Sequence, residues 1–208
     1  MTDLDKALAE IQSIRSQVAR SVEFRGYGPS TLALTGLFAA AAAVVQASWI
    51  TAPQASVSAY LALWIGTAVF SVAAVGVEAV ARSQRVHSGL AQEMIQAAVE
   101  QFLPAGLAGA LLTAALTRFS PESVWMLPAL WQIVFALGVF ASGRFLPRAM
   151  LLVGGWYLAT GTVCLGLARG AHALSPWAMG APFFLGQLLM AAIIQLSHAE
   201  RHSGGRRG

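Results

Sequence analysis

The sequence predicts an all-α polytopic membrane protein, with six transmembrane helices in three hairpins preceded by an amphipathic N-terminal helix. Three observations lead there. From Ser30 to Val77 the chain runs for 48 residues without an Asp, Glu, Lys or Arg, and further apolar runs follow almost to the C-terminus. A spanning helix needs roughly 20 apolar residues, and a soluble domain could not hide so many such stretches. The composition agrees: 57% hydrophobic against 11% charged residues, with a mean hydropathy of +0.64, lies outside the soluble range.

Residues 1–25 read as a cytoplasmic amphipathic helix. Leu4, Leu8, Ile11, Ile14, Val18 and Val22 recur every three or four positions, the spacing of one helix face. A weak capping pattern runs from Thr2 to Asp5. The charges interspersed among them deny the segment the apolar stretch of a signal peptide, and Gly26-Tyr27-Gly28-Pro29 ends it. Six spans follow, at 31–50, 59–81, 95–117, 124–143, 149–168 and 177–197, so that the bundle occupies 26–198. Residues 199–208, ending Gly204-Gly205-Arg206-Arg207-Gly208, are expected to be a disordered cytoplasmic tail. The connections are too short for a soluble domain, which confines any site to the bundle, its mouths or the N-terminal helix.

Basic residues set the orientation. Counted by alternate sides of the membrane, eleven of the thirteen Lys and Arg fall with the termini, and only Arg118 and Arg169 fall on the other side. The positive-inside rule then puts both termini in the cytoplasm, with the chain in the cell inner membrane. Trp49, Tyr60, Trp125 and Trp177 fall at the expected outer boundary, as an interfacial aromatic belt requires.

Ionisable residues inside a bilayer are costly enough to be functional candidates, and the spans hold two, Glu78 and Glu100. At about 1.5 Å of rise per residue across roughly 30 Å of hydrocarbon, both lie near the cytoplasmic rim. Arg82 follows Glu78 by four residues, a favourable helical order, and Arg25 and Arg144 enter the same layer. These groups form either a belt of ion pairs or a carboxylate site for a cation or proton at the cytoplasmic mouth. Pro104 lacks the N–H that would bond the carbonyl of residue 100, so a kink beside Glu100 and Gln101 is expected there. Gln132 and Gln187 are the most deeply placed polar side chains. At similar depths they could hydrogen-bond across helices, or they could bind a small polar substrate.

Other chemistries find little footing. The net charge of +4 comes from residues at span ends rather than from a basic face, which argues against nucleic acid. One cysteine, Cys164, permits no intrachain disulfide. His87 and His172 fall outside the spans, so no bis-histidine haem pair faces across them, and His198 with His202 supplies too few ligands for an ordinary zinc site. No cofactor or metal is called for, and no nucleophile with its base is visible. The expected protein is not an enzyme.

Two further patterns concern packing. Leu63-Trp64 with Val72, Ala74 and Gly76 lines up with Leu130-Trp131, Val139, Ala141 and Gly143, an internal match that either records a repeat or arises by chance among apolar helices. Small residues at Ala39–Ala43, at Gly106, Gly109 and Ala110, and at Gly166 and Gly170 let helices approach closely or offer a face to another subunit. In length, span count and the Ala39-x-x-x-Ala43 spacing the chain resembles the substrate-binding subunits of energy-coupling-factor vitamin transporters. That resemblance implies a transporter or channel component as the alternative function. The leading expectation is a scaffold, regulator or accessory subunit. Its partners would be the lipid bilayer and a protein held through the N-terminal helix or the small-residue faces, an oligomer of this chain being one form of such an assembly.

Overall fold

The computed structural model describes residues 28–50, 52–86, 89–144 and 147–204, and their side chains outside 82–99, 101, 144, 171 and 198–204. The N-terminal amphipathic segment and Arg25 lie outside the described residues. Within them the chain is helical and contains no strand. Six helices are long and apolar enough to cross a membrane, so this is a multi-pass membrane protein. The reason is backbone chemistry: in hydrocarbon every N–H and C=O must be satisfied within the protein, and a helix does that within one segment.

Helix α1 is Pro29–Trp49, α2 Val57–Val86, α3 Gly89–Phe119, α4 Leu127–Ala141, α5 Met150–Leu167 and α6 Pro176–Gly204. A 3₁₀ turn, Pro121–Met126, leads directly into α4. Proline opens several of these elements, at Pro29, Pro121, Pro128 and Pro176, where its missing N–H costs nothing because the first-turn donors have no helical partner. The last helix outruns its expected end at 197. It continues to Gly204, so residues 199–204 are helical rather than tail, because nothing between His198 and His202 breaks a helix until the Ser203-Gly204-Gly205 run.

Each helix packs on the next in sequence, and α6 closes the circuit by lying against α1. The closest seams are α1 with α6 and α4 with α5, and α4 also touches α6 across the middle. Helices α2 and α3 are peripheral, with few buried residues. At the α1–α6 seam a Cβ on Gly180 would run into Ala43 and approach the Ala39 carbonyl at 3.4 Å. The alanine run of α1 therefore does serve close packing. On α5, a Cβ on Gly161 would sit 3.0 Å from the Ala129 carbonyl, which places the α4 and α5 backbones almost in contact. Gly106 and Gly166 face open space, and Gly170 lies in a turn with φ +56. Among the described residues the Gly166/Gly170 pair makes no helix seam; its second member is there because the turn needs a left-handed residue.

Two large apolar clusters and a small third one, of Ala129, Cys164 and Ala168, fill the bundle. Ala42, Ala43, Tyr60, Trp64, Leu127, Leu174 and Met179 occupy the end where Trp49 lies. Leu32, Ala136, Val153, Tyr157, Met190 and Ile194 belong to the cluster toward Gly28. Phe183 packs against both, and Phe135 meets Tyr157 at 4.7 Å and Phe183 at 5.5 Å between ring centroids. Tyr60 does not join the interfacial belt. It is fully buried and stacks on Trp131 with the rings 5° from parallel, because a tertiary partner on α4 outweighs the pull of the headgroup layer.

The internal match has a structural counterpart. Trp64 Nε1 donates to Gln46 Oε1 at 2.7 Å, and Trp131 Nε1 donates to Thr113 Oγ1 at 2.9 Å. In each hairpin the acceptor stands 18 residues before the tryptophan. The same register also aligns Ser56-Val57 with Ser123-Val124 and Ala62 with Ala129. One tryptophan-to-polar clasp thus ties α1 to α2 and another ties α3 to α4.

Candidate functional site

The described residues singled out from the sequence are spread over α2, α3, α4 and α6. Glu78, near the end of α2, accepts a hydrogen bond at 3.1 Å from the backbone N–H of Gly28, the residue that caps α1. A carboxylate beside the N-terminus of a helix is favourably placed against the helix dipole. Glu100 is exposed on α3. That helix runs on through Pro104 without interruption. The side chains of Gln101, Arg82 and Arg144, which the expected belt of ion pairs involves, lie outside the described ones, as does Arg25. Gln187 is buried on α6, where its side chain adjoins the Tyr157 hydroxyl.

Gln132 is fully buried and does not bond to Gln187. Its Nε2 donates to the carbonyls of Pro128 at 3.0 Å and Ala178 at 2.9 Å. The second acceptor is explained by Pro182, four residues further along α6. Proline has no N–H, so the carbonyl of Ala178 loses its helical partner. Gln132 reaches across from α4 and supplies one, the means by which a proline inside a membrane helix is tolerated. Trp156 Nε1 adds a bond from α5 to the Pro182 carbonyl at 2.9 Å. These hydrogen bonds tie α4 and α5 to α6.

A cavity opens at the Trp49 end, where the three inter-helix connections of that end converge. The α1–α2 loop contributes Gln54, the 3₁₀ turn Glu122, Val124 and Trp125, and the α5–α6 connection Arg169 and Leu174, around a volume of about 400 Å³. Its walls are fixed by side chains bonded to backbone. Gln54 Nε2 donates to the carbonyls of Gly170 at 2.8 Å and Ala173 at 3.5 Å, and Gln46 Nε2 donates to the carbonyl of Leu174 at 2.7 Å. Leu174 has φ 58, a region costly for a bulky side chain. Burial of its side chain in the apolar cluster and the bond from Gln46 hold it there.

Arg169 gives the cavity its cation. The guanidinium carbon lies 5.0 Å from the centre of the Trp125 ring, and Nε donates to the Leu165 carbonyl at 3.3 Å. Stacking and that bond orient the group. Among the described residues, no ion pair joins it to Glu122, although both line the same cavity.

No family model, curated protein or solved structure matches this chain. Sequence reasoning placed Trp125 in the aromatic belt and counted Arg169 as a minority-side charge, but it did not join them with Glu122 and Gln54. The available signal was that Arg169 is one of two basic residues on that side. Among the described residues, no cluster of His, Cys, Asp or Glu could hold a metal ion.

Proposed function

We propose that this chain is a non-enzymatic inner-membrane protein whose packed bundle serves as a scaffold, regulator or accessory subunit of a larger membrane assembly. One observation carries the reading: the buried polar side chains Gln46 and Gln132 make hydrogen bonds with neighbouring helices and the α5–α6 connection, while aromatic rings fill the space between the two larger apolar clusters. A solute path needs polar groups turned toward water. The distribution of Lys and Arg supports an orientation with both termini in the cytoplasm and the Arg169 cavity outside.

A transporter component is the second reading, and the observation in its favour is the 400 Å³ cavity itself. Against it, Val124 and Leu174 in the cavity wall belong to the packed apolar cluster beneath. The two readings differ in flux. Purified protein in proteoliposomes should leave the permeability to glycerol, urea, K⁺ and H⁺ equal to that of protein-free vesicles, and a protein-dependent rate would favour the transporter. Photocrosslinkers at Phe70 and Leu111, on the lightly packed helices α2 and α3, should give a discrete protein adduct in native membranes. Adducts with lipid alone would remove the scaffold reading.

A further inference from the structure

We propose that the cavity at the Trp49 end is a binding site for a zwitterionic group, one carrying a phosphate or carboxylate next to an ammonium, as in a phosphoethanolamine headgroup or a free amino acid. The inference goes beyond the scaffold reading and does not depend on it. Arg169 and Glu122 line one small cavity, and among the described residues no ion pair joins them. With its guanidinium carbon 5.0 Å from the centre of the Trp125 ring and its Nε on the Leu165 carbonyl, Arg169 makes, among the described residues, no hydrogen bond from its Nη atoms, the ones that grip carboxylate or phosphate through two parallel bonds. Glu122 supplies the opposite charge from another connection. A purely anionic ligand would meet that carboxylate unfavourably, and a purely cationic one would meet the arginine. Only a ligand bearing both charges satisfies both walls.

Size and position fit the same chemistry. About 400 Å³ is near the lower end for small-molecule sites, suited to a headgroup and its glycerol and too small for a peptide segment. Val124 and Leu174 give an apolar wall for carbon atoms. Trp49, Phe119 and Trp177 are exposed at the same end, as aromatic side chains are at the headgroup level of a bilayer. The bonds from Gln46 and Gln54 to the 170–174 backbone preform the wall, so less ordering is needed on binding.

The test uses the full chain purified in detergent, with native mass spectrometry for retained lipid and thermal unfolding as the second readout. The probes are phosphatidylethanolamine, phosphatidylglycerol, and the soluble zwitterions glycerophosphoethanolamine and glycine. Phosphatidylethanolamine should be retained and should raise the unfolding temperature, and phosphatidylglycerol, which has no ammonium, should do so far less. Arg169→Gln should weaken retention about tenfold or more, the scale of a lost charge-assisted contact. Glu122→Gln should instead erase the preference, letting phosphatidylglycerol bind as well as phosphatidylethanolamine. Competition by glycerophosphoethanolamine would assign the ligand to headgroup chemistry. Binding of glycine with no retention of lipid would keep the zwitterion site and move its source to a free solute. Equal binding of the two lipids to the unaltered protein, or full retention by Arg169→Gln, would overturn the proposal. Both side chains are exposed, so the ligand-free unfolding temperatures should match; were Arg169→Gln to misfold, Arg169→Lys, which keeps the charge and loses the fork, should show an intermediate loss.

Discussion

Replacing Gln132 should reveal how the bundle tolerates Pro182. In Gln132→Leu the apolar volume is nearly conserved, but the Ala178 carbonyl loses the donor that now reaches it at 2.9 Å. That carbonyl cannot turn to water inside the bundle, nor to residue 182, which has no N–H. An interhelical hydrogen bond in a membrane protein contributes about 0.6 to 1.7 kcal/mol. Working against this, Gln132 Oε1 is itself buried without a partner, and leucine removes that unsatisfied atom. The expected cost of the single substitution is therefore about 1 kcal/mol. Pro182→Ala alone should be close to neutral, since the gap it repairs is already filled. In the Pro182→Ala background residue 182 donates to Ala178 within the helix, and Gln132→Leu should then cost nothing or stabilise slightly. The assay is reversible unfolding in mixed micelles titrated with dodecyl sulfate, followed by tryptophan fluorescence, and the quantity read is the coupling of the double-mutant cycle, about 1 kcal/mol. The same cost for Gln132→Leu in both backgrounds would refute the reasoning.

Three other outcomes are expected. At the α1–α6 seam Gly180→Val, whose side chain would drive into Ala43, should destabilise by about 1 to 3 kcal/mol in the same assay, whereas Gly166→Ala, facing open space, should be neutral or stabilise by up to about 1 kcal/mol; equal effects would contradict the packing. Glu78→Ala should remove the bond to Gly28 and cost about 0.5 to 2 kcal/mol, with part of the cost screened at high salt, and a salt-independent zero would show that the carboxylate does not steady the start of α1. Reporter fusions at Gln54, Glu122 and Ala173 should report one side of the membrane, the periplasm, and fusions at Ser88 and after Gly208 the other; a cytoplasmic signal at Glu122 would overturn the orientation.

The spans were legible because the bilayer imposes a simple rule on sequence: long apolar runs, charges at their ends. Their boundaries shifted where local structure intervened. The fourth span begins as a 3₁₀ turn at Pro121, and the sixth continues past the apolar run because helix-compatible polar residues follow. Gln132 and Gln187, expected deep in their spans, are both buried. Partnership was not legible. Gln132 is explained by a proline 50 positions away on another helix, and Tyr60 is buried by a ring on α4, relations that exist only after the helices pack. The cavity is harder still, since its charged walls come from two connections 47 residues apart and the glutamine that braces it comes from a third.

The central claim is that the interior of the bundle is closed to water, and cysteine accessibility tests it most directly. In a Cys164→Ala background, single cysteines are placed at Thr35 and Ala136, both buried, and at Gln54 on the exposed cavity wall. A membrane-impermeant maleimide should label Gln54→Cys from its own side of the membrane and leave Thr35→Cys and Ala136→Cys unlabelled from either side. Labelling of Ala136→Cys at a rate comparable with Gln54→Cys would show a water-filled path through the bundle and contradict the account.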